Sequence, residues 1–345
     1  MVQHSTEMMS RLELAIQTKG KGLEIAPYFD PCLSKDHFDV LYTDYIDNEE
    51  ISRKAAENPG SDGREPAAID FVWNSGSSLY VSAPREVYFD FVVASHVMEH
   101  VPNPVGWLNE LLSVTKVGGK IALFLPCRRF NVDCYRNETT FGELVKWWIE
   151  QPAIPTTGQI LDFMTNSIGL IHGDGVAWTH DGLPTDGRRE FYSDEDSIDM
   201  ATNLAISPHY LDVHCTVWSA ESFRSVIERL EKCGIVNAEV SEIVGEECEF
   251  LAILTKSGEP ERTPPPRTAT RTPVAEGARL KAIDHKLEIV LHEQQKGVNS
   301  RIDQIDHQLS ELRRLLMHRG RPFGRVARNF IKRCFSNVFG AARKQ

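Results

Sequence analysis

Hydrophobic and polar positions along the chain fall into short apolar runs separated by amphipathic stretches, and the clearest unit spans Tyr88 to Pro126. Phe89 to Ala94 is an apolar, β-rich run broken by one acid, the pattern of a strand buried on both faces of a parallel sheet. Asn103-Pro104 then opens a helix whose apolar positions Val105, Leu108, Leu111, Leu112 and Val114 recur at helical spacing. Gly118-Gly119 is expected to end that helix, and Lys120 to Leu125 reads as the next buried strand. Upstream, Met8, Leu12 and Ile16 share one face of a short helix. Gly22 to Ala26, Phe38 to Thr43 and Ala68 to Trp73 read as strands, with a crossover helix over Asn48 to Pro59. Downstream, Ser219 caps a helix that runs to Cys233, with Gly234 past its end. Val236 to Val244 and Glu249 to Thr255 follow as two strands joined by an acidic turn. Seven strands alternating with helices predict an α/β domain over residues 1–256.

Three stretches lie outside that order. Residues 127–215 form an insertion of about ninety residues before the last helix. Residues 257–277 hold five prolines and read as a semi-extended linker. In 278–318, Val298, Ile302, Ile305, Leu309, Leu312 and Leu316 alternate by four and three, and Leu280, Ile283, Leu287 and Val290 do so one residue out of phase across Gly297. That pattern predicts an interrupted coiled coil and a homo-oligomer, with a single long helix packed back on the domain as the rival.

Charge changes the picture at one end. The net charge is −11, yet residues 319–345 carry eight Lys/Arg and no acid, leaving 30 basic against 49 acidic residues elsewhere. An acidic body argues against nucleic acid as a partner. The basic tail, interleaved with Phe323, Phe330, Phe335 and Phe339, suits an anionic membrane surface or an acidic partner protein. No apolar run approaches a membrane span and the N-terminus lacks a signal-peptide layout, so a cytoplasmic protein is expected, peripheral to a membrane if the tail docks there. Seven cysteines without a CxxC pair predict reduced thiols and no structural zinc site.

Asp90 at the start of the fourth strand, Glu99-His100 after it and Gly118-Gly119 before the fifth together resemble the class I S-adenosylmethionine (SAM) dependent methyltransferases. The resemblance implies a Rossmann-like seven-stranded sheet with an antiparallel last strand, and SAM as cofactor. The cofactor loop departs from the glycine-rich pattern of the family: Ala26 stands where the first glycine belongs, Pro27 lacks an N–H and Phe29 replaces a later glycine. Leu23-Glu24-Ile25-Ala26-Pro27 with Pro31 is similar instead to a branch linked to bacterial polysaccharide and glycosyltransferase clusters. Arg129, Phe130, Asp133, Arg136 and Thr139 or Thr140, and the later Asp212, His214 and Trp218, resemble the same branch.

The resemblance puts Glu24, Ala26, Pro27, Tyr28, Asp44, Asn74, Ser75 and Ser95 around the cofactor. Asp44, ending the second strand, has the geometry to accept both ribose hydroxyls, although a turn Asp reads the same way. Asn74-Ser75 lies where the family contacts adenine, and is also common turn chemistry. His96, Asp133 and His214 are candidate bases for a hydroxyl acceptor. His172, His180 and His209 lie in or beside the insertion and read as structural. Arg128, Arg129 and Arg136 either grip an anionic acceptor or pair with acids inside the insertion. No histidine pair has HExxH spacing, so metal ligation is open but has no motif to support it, and no metal ligand is assigned. The expected activity is O-methylation of a sugar hydroxyl on surface polysaccharide or lipid-linked glycan, with a glycosyltransferase as a further partner. A small-molecule methyltransferase and a non-catalytic scaffold of the same fold are the alternatives.

Overall fold

The computed structural model describes residues 4–17, 20–57, 64–74, 77–84, 88–172, 175–176, 188–190, 192–245 and 248–265. The linker beyond residue 265, the heptad segment 278–318 and the basic tail 319–345 lie outside the described residues, as do Ser75 and His180.

The apolar runs pair into one seven-stranded sheet. Its strands are β1 (Lys21–Ile25), β2 (Asp39–Asp44), β3 (Phe71–Val72), β4 (Phe89–Ser95), β5 (Thr115–Pro126), β9 (Ala238–Val244) and β10 (Glu249–Lys256), in the order β3-β2-β1-β4-β5-β10-β9. β1 to β5 are parallel and β10 runs antiparallel to β5, as expected from the closing hairpin. The chain winds outward from β1 through β2 to β3, then returns to β4 on the other side. The order therefore reverses between β1 and β4, and the crevice beyond their carboxyl ends is where such sheets take ligands.

Both faces are covered. On one, Leu23, Val92, Leu123 and Ala252 pack with Leu108 and Leu111 of α4 (Pro104–Val114) and Phe223 and Leu230 of α8 (Ala220–Lys232). On the other, Phe91, Val93, Phe124 and Leu251 pack under α1 (Thr6–Ile16), whose buried residues are Met8, Leu12 and Ile16, the three that its periodicity marks. Each buried Val, Leu, Ile, Phe or Met among them contributes roughly 1.5–3 kcal/mol when removed from water. Ser219 caps α8 through a reciprocal bond with Ser222, and α2 (Asn48–Glu57) is the crossover helix. Among the described residues no helix is long and apolar enough to cross a membrane.

Two expectations change. Gly118-Gly119 does not end α4; β5 already begins at Thr115 and both glycines lie inside it. Gly118 adopts φ +81°, and a Cβ on Gly119 would stand 2.9 Å from the Asp90 carbonyl oxygen, so the pair allows an irregular approach to β4. The third strand shrinks to Phe71–Val72, because Asn48 captures the backbone just before it: its Oδ1 accepts from Ile69 N–H at 2.8 Å and its Nδ2 donates to the Ile69 carbonyl at 3.1 Å. α3 (Leu79–Ser82) then leads towards β4.

The insertion is a folded unit. α5 (Phe141–Glu150) lays Leu144, Trp147 and Trp148 on the main core. α6 (Thr157–Asn166) and α7 (Asp194–Ile206) share a separate cluster of Ile160, Met164, Ala201, Leu204, Val213 and Cys215. A small antiparallel sheet joins β6 (Ile168–His172) to β7 (Gly175–Val176) and β8 (Arg188–Glu190). Backbone bonds stitch the unit to the sheet end, with Cys215 N–H donating to the Glu99 carbonyl at 2.5 Å and Arg128 N–H to that of Trp218 at 2.8 Å.

Candidate active site

The crevice is built first by β1. Glu24, buried at its end, accepts the Cys32 N–H at 2.7 Å on one oxygen and the Leu33 N–H at 3.0 Å on the other, folding residues 26–33 back over the strand. Burial pushes its carboxyl up to about 7, against the pull of those two N–H bonds. Within this loop Ala26 has φ +52° and Tyr28 φ +45°. Both sit in the left-handed region, so the loop keeps a glycine-like path without glycine. Pro27 lies between them and its carbonyl accepts from Asp30 N–H.

β2 brings Asp44 to the same rim. Its Oδ1 accepts the Tyr45 N–H at 2.6 Å, and Oδ2 accepts no hydrogen bond from the described residues. Burial raises its pKa, the tyrosine and Ile46 amides opposing. A half-satisfied carboxylate at this place fits the ribose diol of a nucleoside cofactor. Asn74 is exposed at the β3 exit, beside Trp73, whose ring lies 6.5 Å from that of Trp107. Ser95 ends β4, and its hydroxyl lies 3.1 Å from His4 Nε2.

His4 was not singled out by the sequence, nor was Glu249. Together with His96 and Glu99 they form a hydrogen-bonded chain across the sheet ends. His4 Nδ1 lies 2.8 Å from Glu249 Oε1, Glu249 Oε2 lies 2.7 Å from His96 Nε2, and His96 Nδ1 lies 3.2 Å from Glu99 Oε1. The His4 ring stacks on Phe124 at 3.8 Å. Burial opposes charge on His96, but Glu249 and Glu99 raise it to about 9; burial likewise opposes charge on Glu249, and the two histidines bring it down to about 2. An imidazolium has no lone pair with which to take a proton, so His96 in this setting is a poor base and a good electrostatic anchor. Its own backbone is held at φ +52°, an unusual conformation for a non-glycine residue.

Next to this chain the insertion meets the β4 exit. Asp133 is buried, with Oδ1 accepting from Arg136 Nη1 at 2.7 Å and Oδ2 lying 2.5 Å from His214 Nδ1. Burial alone would raise Asp133, yet His214 and Arg136 hold it below the usual carboxylate range. A carboxylate so held serves to orient the His214 ring. Arg136 is itself buried and also bonds Asp162 at 2.9 Å and the His214 carbonyl at 2.8 Å, so it is an internal clamp. Of the anion-gripping trio, Arg129 pairs with Glu221 and Arg128 donates to the Cys134 carbonyl.

His100 packs edge-on against His214 with ring centres 4.8 Å apart, and its Nδ1 lies 2.8 Å from Asp212 Oδ1. Glu99, 1% exposed, completes this group; burial would raise its carboxyl, but the three surrounding histidines, His96, His100 and His214, hold it down. Thus Asp133 and His214, 81 residues apart, converge with Glu99-His100, whereas His209 stays exposed against Ser207. The Glu-His and Asp-x-His pairs are visible in the sequence; their convergence is not.

Residues 22–123 match the family described as "Methyltransferase domain", which covers β1 through most of β5. The chain therefore carries a SAM-dependent methyltransferase domain, and SAM is its cofactor. No curated protein sequence matches. Among solved structures, a SAM-dependent methyltransferase from Clostridium acetobutylicum is 10% identical over 74% of this chain and 94% of its own, with a TM-score of 0.36. An O-methyltransferase family protein from Burkholderia thailandensis is 10% identical over 74% of this chain and 56% of its own, TM-score 0.33. The carbon methyltransferase CurJ is 13% identical over 69% of this chain, TM-score 0.32, and the chain spans about half, 49%, of its length.

Proposed function

We propose that this SAM-dependent methyltransferase acts on oxygen, and that its acceptor is a sugar hydroxyl of surface polysaccharide or lipid-linked glycan. The observation that carries the oxygen assignment is the convergence of Glu99, His100 and the Asp133-oriented His214 beside the β4 exit. A hydroxyl must lose its proton as it is methylated, and this polar group is placed to receive it. The glycan assignment rests on the loop from Leu23 to Pro31 and the insertion residues that resemble the polysaccharide-linked branch. Residues 278–318 as an oligomerising coiled coil, and 319–345 as a dock for an anionic membrane or a glycosyltransferase, belong to the same reading. They would place the protein at the inner face of a membrane.

When bound, SAM supplies a methyl on a positively charged sulfur, so the C–S bond breaks with its electron pair going to sulfur as the O–C bond forms. The chain does the rest. Asp44 would offer its second oxygen to the ribose, and the left-handed loop at Ala26 and Tyr28, with Asn74 and Ser95, would hold the rest of the cofactor. Asp133 fixes the His214 ring, and the cluster positions the acceptor and takes the hydroxyl proton out of the site. Most of the acceleration comes from alignment of acceptor and methyl.

Two measurements test this. Calorimetry should show SAM binding that Asp44→Ala weakens by about 1.5 kcal/mol or more, roughly tenfold, the scale of a hydrogen bond to a charged group. Transfer of label from methyl-tritiated SAM should then appear on saccharide hydroxyls across a panel of nucleotide sugars and lipid-linked glycans. Label found only on nitrogen or carbon acceptors would overturn the oxygen assignment.

A further inference from the structure

Two groups of side chains in the described residues bring histidine and carboxylate ligand atoms together, and they differ in one respect. In His4, His96 and Glu249 the donors and acceptors already satisfy each other: Glu249 spends one oxygen on each ring, and His96 spends its other nitrogen on Glu99. Nothing there is left for a ligand. In Glu99, His100 and His214 the ligand atoms lie within 4.8 Å of one another, and Glu99 Oε2 has no hydrogen-bond partner although the residue is 1% exposed. A buried carboxylate oxygen left without a donor normally implies something that fills the place.

The surroundings have the chemistry of a metal centre. His214 faces Asp133 with Nδ1 at 2.5 Å, whereas His100 Nδ1 lies 2.8 Å from Asp212 Oδ1 without hydrogen-bond geometry and is, like Glu99 Oε2, buried without a hydrogen-bond partner. The Asp133 carboxylate fixes the His214 tautomer with hydrogen on Nδ1 and leaves its other nitrogen's lone pair for a cation, while the unpartnered His100 Nδ1 is itself a free donor atom. Asp133 is in turn clamped by Arg136, and the backbone bonds from Cys215 and Thr216 N–H to the Glu99 carbonyl join the two ligand-bearing segments. The histidines are partly open to solvent while Glu99 is not, so one side of the group remains accessible.

We propose that Glu99, His100 and His214 bind one divalent transition-metal ion of the zinc type, with a remaining coordination position open to the acceptor hydroxyl. Two imidazoles and one carboxylate are a donor set that zinc and cobalt accept in a tetrahedral site. Bonds of about 2.0–2.1 Å on a tetrahedron put ligand atoms roughly 3.3 Å apart, so atoms that now lie within 4.8 Å of one another close by at most about 1.5 Å on binding. The role in methyl transfer rests on the O-methylation reading; binding does not. A cation held by these residues would make the acceptor hydroxyl more acidic, so that its proton would leave to solvent rather than to the histidines, which refines that reading.

The test uses the full chain, stripped with a chelator and titrated with cobalt(II) while visible absorbance is recorded. The expected result is one equivalent bound, with the intense bands of tetrahedral cobalt, displaced by zinc(II). Glu99→Gln, His100→Gln and His214→Gln should each weaken binding by about 100-fold or more, beyond the 10–100-fold typical of supporting residues. Glu99 is buried, so if its variant unfolds by circular dichroism the two histidine variants decide. No cobalt bands in the folded wild type, or binding indifferent to all three substitutions, overturns the proposal. Oxygen methylation by a metal-free chain would overturn the metal's part in methyl transfer while leaving the proposed function standing; cobalt binding without saccharide methylation would do the reverse.

Discussion

At the scale of single residues, the cofactor loop shows how a departure from a family pattern can be absorbed. Ala26 replaces a glycine and still takes φ +52°, so the loop carries strain that glycine would lack. Ala26→Gly relieves that strain and gives back part of it as unfolded-chain entropy, for a net gain of up to about 1 kcal/mol. A thermal melt should show the rise, with SAM affinity retained. Glu249 makes a second prediction. Its folded pKa of about 2 lies below the ordinary 4.5, so its contribution is fully present above pH 4.5 and is lost as pH falls through 2. Wild type should therefore exceed Glu249→Gln by roughly 2–3 kcal/mol near pH 5, and the two urea midpoints should converge near pH 2. Midpoints equally far apart at both pH values would mean that the His4 and His96 contacts do not hold this carboxylate down.

At the scale of elements, what was legible in the chain was whatever depends on near neighbours. Phe89 to Ala94 and the face of Met8, Leu12 and Ile16 declare their burial by local periodicity, and Ser219 declares its helix by the residue that follows three places on. Asp44 and Ser95 were legible as positions, because a strand end can be read from where its apolar run stops. The ladder that shapes the site was not. His4 and Glu249 stand 245 residues apart and Asp133 and His214 81 apart, so no spacing rule links them. The loss of most of the third strand hangs likewise on one distant side chain, Asn48. Arg136 shows the energetic side of such contacts. It was open whether it gripped an acceptor or paired within the insertion; it is 1% exposed and binds Asp133, Asp162 and the His214 carbonyl. Arg136→Met leaves buried Asp133 with His214 alone as partner and frees Asp162 and the His214 carbonyl, and should cost about 3–5 kcal/mol in chemical denaturation. A loss under 1 kcal/mol would show that the insertion holds its place by its apolar cluster alone.

At the scale of the whole molecule, the described body and the segments beyond residue 265 divide the work differently under the two enzyme readings. A chain ending at residue 265 should keep the circular dichroism of the α/β body and its SAM affinity. By sedimentation it should be monomeric where the full chain is oligomeric, and it should lose transfer to lipid-linked glycan presented on anionic vesicles. Retention of that transfer would leave residues 278–345 without a part in catalysis. The sheet also has a history written into its order. β5 lies in the middle of the sheet and its later neighbour β10 pairs with it from Lys120 to Thr255, 135 residues along the chain, after the whole insertion has intervened. While the chain is being synthesised, β1 to β5 emerge with β5 as a bare edge, apolar from Ile121 to Pro126, for the many seconds needed to add those residues at about 5–20 per second. That interval is when the nascent protein is most open to aggregation, and it makes the closing hairpin the slow, chaperone-sensitive step of its biogenesis.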